Sequence, residues 1–164
     1  MNREISDRLT ALGLELPELP APRNQYVPAT RMGELYFFSG KTPTVAGSVQ
    51  HPGRLGELSV DEGRQAARIA AVNVLAAIEA EIGLENVVTV LKITAFVASA
   101  DGFVEQPKVV DAASQLFVDV LGDAGRHARS AVGVAWLPGN AAVEIESIVH
   151  AATNGKRDSR KESS

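Results

Sequence analysis

The sequence predicts an α+β domain of element order ββαβαββ, and three observations lead there. Residues 60 to 82 and 104 to 120 each carry apolar side chains every three or four positions, the period of a helix with one buried face. The segments 26 to 40, 87 to 97 and 127 to 148 are rich in aromatic and β-branched residues or alternate apolar with polar, as strands do. Two helices can cover only one face of a sheet whose strands are apolar enough to want both faces dry, so the other face suggests oligomerisation. At 164 residues, 45% of them hydrophobic, such a chain buries roughly 70% of its unfolded surface and needs no disulfide or structural metal.

The elements can be justified in order. Ile5, Leu9 and Leu12 stand at helical spacing before Gly13, predicting a short N-terminal helix, and the proline-rich "LPELPAPRNQ" continues this arm to residue 24. "YVPATRMGELYFFSG" predicts a hairpin turning at Met32-Gly33-Glu34. The Gly- and Pro-rich "KTPTVAGSVQHPGRLGEL" is expected to be a long ordered loop. Ser59 and Glu62 form a capping box that starts a helix, with Ile69, Val72, Leu75, Ile78 and Ile82 as its apolar stripe and Gly83 as its stop. Val87 to Val97 reads as a strand whose odd positions Val87, Leu91, Ile93, Ala95 and Val97 share one face. A second helix presents Val109, Val110, Ala113, Leu116, Phe117 and Val120, with Pro107 tolerated near its start. "HARSAVGVAWLPGNAAVEIESI" is expected to be a closing hairpin turning at Pro138-Gly139-Asn140. Residues 1–154 thus make one domain, and the polar tail 155–164 is expected to be disordered.

Composition excludes several function classes. No cysteine is present, which removes thiol nucleophiles and thiolate metal sites and fits a reducing, cytoplasmic setting. The charged start Met1 to Arg8 lacks the apolar run of a signal peptide, and charged residues interrupt every stretch that approaches membrane-spanning length. A net charge of −4 and the lack of a basic or aromatic stripe argue against nucleic acid as the ligand. His51, His127 and His150 have no metal-site spacing, so no metal is expected.

Arg129 precedes a run of small residues, where a planar guanidinium can receive a carboxylate bidentately. On residue type alone, an exposed or salt-bridged arginine is the commoner reading. Glu144 and Glu146 share one strand face and read equally as solvent-facing residues. In the expected hairpin Ala135 opposes Glu144 and Arg129 opposes the neighbourhood of His150. That register puts Arg129 and Glu144 of one chain roughly 20 Å apart. A site using both would then lie in a cleft between subunits.

Taken together, "YFFSGKTP", the capped alanine-rich helix, "VLKITAFVAS", "HARSAVGVAWLP" and "VEIESI" resemble the RidA (YjgF) reactive-intermediate deaminase superfamily, also labelled endoribonuclease L-PSP. The resemblance covers roughly residues 20 to 150, and its most specific part is A-R-S-x-V followed by L-P and E-I-E. It implies a chorismate-mutase-like fold, a homotrimer with clefts between subunits, and hydrolysis of carboxylate-bearing enamines or imines such as 2-aminoacrylate to a 2-oxo acid and ammonia, without cofactor or metal. The resemblance puts the substrate-gripping arginine at Arg129 and the water-associated glutamate at Glu144. It also places an aromatic near the cleft at Tyr26 and cleft-lining residues at Ser39, Gly40 and Ala131.

The departures from that pattern bear on the pocket. His127 stands where a proline is usual, Ala131 where a cysteine is common, and the helix asparagine is replaced near Val110. A binding or sensing trimer for small carboxylates is the alternative on the same scaffold, and ribonuclease activity ranks last.

Overall fold

A computed structural model describes residues 2–20 and 25–152. The tail expected to be disordered and residues 21–24 of the arm lie outside them. In chain order come helix α1 (Arg3–Ala11), strands β1 (Ala29–Met32) and β2 (Leu35–Lys41), a miniature hairpin of β3 (Thr44–Val45) and β4 (Ser48–Val49), helix α2 (Val60–Ile82), strand β5 (Val87–Ala98), helix α3 (Gln106–Leu121), and strands β6 (Ala128–Val134) and β7 (Val143–Ala151). The α+β class and the element order are as expected from sequence. The miniature hairpin is an addition within the expected loop: Ala46 and Gly47 both hold positive φ, as a two-residue turn between paired strands requires.

Five strands form one sheet in the order β1-β2-β7-β5-β6. All neighbours are antiparallel except β5 and β6, which run parallel through the α3 crossover. The closing hairpin expected from sequence is therefore not formed. The turn at Pro138–Asn140 exists, with Gly139 and Asn140 at positive φ, but it carries the chain over the end of β5, so that β6 and β7 flank that strand instead of pairing. The physical reason is that β5 is twelve residues long and largely apolar, and a central place lets it satisfy its backbone and bury its side chains on both sides.

Both long helices lie on one face. Along β7, Val143, Ile145, Ser147, Val149 and Ala151 are buried beneath them, and Glu144, Glu146, Ile148 and His150 point the other way. The capping box is formed: Ser59 Oγ accepts from the Glu62 amide at 3.2 Å, and the Glu62 carboxylate accepts from the Ser59 amide at 2.8 Å. The buried stripe of α2 is rotated from the expected one. It runs through Ala66, Ala67, Ala70, Ala71, Val74, Leu75 and Ile78, and leaves Ile69 and Val72 half-buried. Close approach decides this, because a Cβ at Gly63 would already stand 2.6 Å from Leu55 Cδ1, so the helix turns its smallest residues to its neighbours. Irregularities in β5 at 87–89 and 90–92 likewise bury Val90 and turn Leu91, expected inside, to 41% exposure.

The sheet face away from the helices carries Phe37 and Val132, both over 40% exposed, among Lys92, Thr94 and Glu146. No helix among the described residues is long and apolar enough to cross a membrane.

Candidate functional site

Two groups of candidate residues form, one on each face of the sheet. The first gathers at the end of β2 beside the start of β7. The β2–β7 register shifts between Phe38 and Lys41, so Ser39 and Gly40 sit in an irregularity rather than a regular ladder. The Glu144 side chain lies directly over Gly40: a Cβ there would be 2.1 Å from Glu144 Oε1 and 2.9 Å from its Cδ. Only glycine leaves room for the carboxylate in that position. Ser39 donates its hydroxyl to the Val27 carbonyl at 2.8 Å and its amide to the Pro28 carbonyl at 2.9 Å. These bonds tie the segment bearing the exposed Tyr26 to β2.

Electrostatics sets Glu144 apart from an ordinary surface carboxylate. Burial raises its pKa, the neighbouring Glu146 adds to the rise, and Lys41 opposes both. Lys41 is half-buried in turn, and the loss of solvation lowers its pKa against the pull of Glu144. A half-desolvated carboxylate with an ammonium nearby can hold a water and accept its proton.

The second group belongs to the edge strand β6 and to α3. Arg129 stands in register with Ile93, whose side chain is fully buried under the helices, and it points to that same face. Its Nη1 donates to Asp111 Oδ1 at 2.8 Å and to Ser114 Oγ at 3.1 Å. Asp111 and Ser114 lie one turn apart on α3 and reach the strand together. The hold uses one corner of the guanidinium. Among the described residues, Nε and Nη2 have no hydrogen-bond partner, and that edge has the fork geometry of a bidentate carboxylate receptor. Ala131 follows on the same face, half-buried and small.

The structure therefore brings Ser39, Gly40 and Glu144 to one side, with Tyr26 exposed on the segment bonded to Ser39, and Arg129 with Ala131 to the other. Arg129 aligns through Ile93 with Ser147, three residues from Glu144, and β5 lies between their strands. At about 3.3 Å per residue and about 4.8 Å per strand, their Cα atoms are roughly 14 Å apart, on opposite faces of the sheet. This replaces the separation of roughly 20 Å expected along a hairpin. Sequence reasoning missed Lys41, Asp111 and Ser114. Their signal is weak, since a lysine after a glycine and two polar residues at i, i+3 on an amphipathic helix occur in most proteins.

Comparisons with known proteins agree with this architecture. The family model described as "YjgF/chorismate_mutase-like, putative endoribonuclease" matches residues 6–149. A Trypanosoma cruzi protein called Protein TCP17 is 41% identical over 150 residues, 88% of this chain and 92% of its own. A 2-iminobutanoate/2-iminopropanoate deaminase of Dermatophagoides farinae is 32% identical over 136 residues, 83% of this chain and 93% of its own. Among solved structures, Atu1372 of Agrobacterium tumefaciens, a protein of unknown function, superposes with a TM-score of 0.83 at 42% identity, covering 90% of this chain and 92% of that one.

Proposed function

Because the chain belongs to the YjgF/chorismate-mutase-like family, we propose that it hydrolyses small carboxylate-bearing imines, and enamines after tautomerisation, to 2-oxo acids and ammonia. The observation that carries this reading is the pair of half-sites. Arg129 offers an open guanidinium edge on one face and Glu144 a half-buried carboxylate on the other, and one chain cannot apply both to a small molecule. A homotrimer, in which the edge strand of one subunit faces the Glu144 side of the next, supplies the missing half of each site.

The chemistry follows from those groups. Arg129 pairs with the substrate carboxylate through Nε and Nη2 and fixes the C=N group in one orientation. Glu144 holds a water against the imine carbon and takes a proton from it as the C–O bond forms. The C=N electron pair moves to nitrogen, which takes up a proton and gives a carbinolamine. The amino group of this adduct takes up a second proton, returned by Glu144, and leaves as ammonia when the C–N bond breaks, while the remaining hydroxyl proton passes to a base to give the 2-oxo acid. Free imines hydrolyse readily in water, so a site without a covalent nucleophile suffices. The half-buried Lys41 keeps a counter-charge near Glu144.

Ammonia release from 2-aminoacrylate, generated in place by a dehydratase, tests the reading. The expected result is acceleration by the wild type and background decay with Arg129→Ala or Glu144→Gln. Mixing these two inactive variants during refolding should restore about a quarter of the wild-type rate, because random assembly joins an intact arginine to an intact glutamate in one cleft of four. Binding of 2-oxobutanoate without any turnover would move the protein to the carboxylate-sensing alternative. Full activity in a dilute monomer would overturn the shared cleft.

A further inference from the structure

His127 ends a chain of hydrogen bonds that begins at Arg129, and the direction of each bond is set. The Gly125 carbonyl can only accept, so His127 Nδ1, 2.7 Å away, donates to it and carries a ring proton. In a neutral ring Nε2 then has a lone pair, and the Ser114 hydroxyl 3.1 Å away must donate its hydrogen there. With that hydrogen committed, Ser114 Oγ faces Arg129 Nη1 as an acceptor at 3.1 Å. The edge of the imidazole also packs against Phe117, centroids 5.6 Å apart at 73°. α3 thus presents Asp111, Ser114 and Phe117, at successive i, i+3 positions, to His127 and Arg129 of the following strand.

We infer that His127 is a positioning residue for Arg129: as a neutral ring protonated on Nδ1, it orients the Ser114 hydroxyl so that Nη1 is consumed by the protein and the Nε/Nη2 edge is left for a ligand carboxylate. The functional consequence rests on the reading of Arg129 given above, whereas the hold itself does not. A charged ring would reverse the Ser114 contact, since Nε2 would then donate and the hydroxyl hydrogen would need another acceptor. Burial of the ring and the nearby Arg129 charge both favour the neutral form, against the Gly125 carbonyl. Asp111 supplies the charge on the other side of Nη1. With it, Ser114 makes a two-point hold that a single aspartate lacks, because one ion pair at a half-exposed site leaves the guanidinium free to rotate.

Three variants of the full-length protein separate this from simple packing: Ser114→Ala, Ser114→Thr and His127→Gln. Nitrogen NMR of the imidazole near neutral pH should show a protonated Nδ1 and a bare Nε2, and the Arg129 Nε–H signal should be ordered in the wild type and the threonine variant. Ser114→Ala should lose that order and bind 2-oxobutanoate roughly tenfold more weakly, the effect of losing one bond to a charged group. His127→Gln should weaken binding similarly, and the double variant should be no worse than the weaker single one, because the two act in series. A ring protonated on Nε2, an unchanged Arg129 signal in Ser114→Ala, or additive losses would each overturn the inference. An ordered Arg129 with the expected tautomer, in a wild type that binds no carboxylate, would uphold the hold and sink the deaminase reading instead.

Discussion

Replacing Gly40 by alanine isolates the position of the Glu144 carboxylate from every other property of the site. The new Cβ would stand 2.1 Å from Glu144 Oε1, and ordinary contact begins near 3.4 Å, so the carboxylate must retreat by about 1.3 Å. What it meets is the far end of a flexible side chain, so the fold should accommodate the change for under about 1 kcal/mol, chiefly in one altered rotamer. A shift of that size in a group that orients a water is expected to lower kcat about a hundredfold with little change in KM. Gly125→Ala provides the contrast. There the Cβ would also lie at 2.1 Å, but from the Phe117 carbonyl oxygen, and a backbone atom inside helix α3 cannot step aside. That variant should lose several kcal/mol or fail to fold. Thermal unfolding and imine hydrolysis on both proteins make the assay. A Gly40→Ala protein that keeps full activity would refute the claim that the carboxylate must sit where glycine admits it, and one that unfolds would refute the claim that Glu144 is free to move.

Further consequences concern charge and capping. If Glu144 acts as the base, activity should rise with pH through its raised pKa, above the ordinary carboxylate range. Glu146→Gln removes a repelling charge and should move that limb to lower pH, whereas Lys41→Met removes the opposing cation and should move it higher, both read from kcat/KM profiles. His127 is held below its ordinary value, so the stability gained from its neutral ring is present above about pH 6.5 and is lost as pH falls below that, through the lowered folded value. Unfolding midpoints of wild type and His127→Gln should therefore converge on acidification. Ser59→Ala removes the acceptor for the Glu62 amide and one partner of the Glu62 carboxylate, and should cost about 1 kcal/mol in denaturant unfolding without affecting the site.

The elements were legible because their signals are local. The capping box at Ser59, the Gly83 stop and the buried positions of α3 follow from spacing alone, and the structure has them where the sequence puts them. The stripe of α2 was read too far round because spacing favours the largest apolar residues, while burial here favours alanines that admit a neighbour. Leu91 differs for another reason: the irregularity between Val90 and Lys92 buries Val90 in its place while Ile93, Ala95 and Val97 keep the expected face, and nothing in residue type announces it.

The class of the fold, its two long helices and its strands follow from the sequence, and the family resemblance of its motif points to Arg129 and Glu144 as candidates. Strand order was decided only in three dimensions. Adjacent strands joined by a tight turn read as a hairpin, and the insertion of β5 between β6 and β7 arises from competition for the centre of the sheet, a property of all five strands at once. That competition places Arg129 and Glu144 on opposite faces. The partners Asp111, Ser114 and His127 likewise gather around Arg129 only when α3 packs on the edge strand, because hydrogen-bond geometry depends on distance through space and the chain separates them by up to 18 residues.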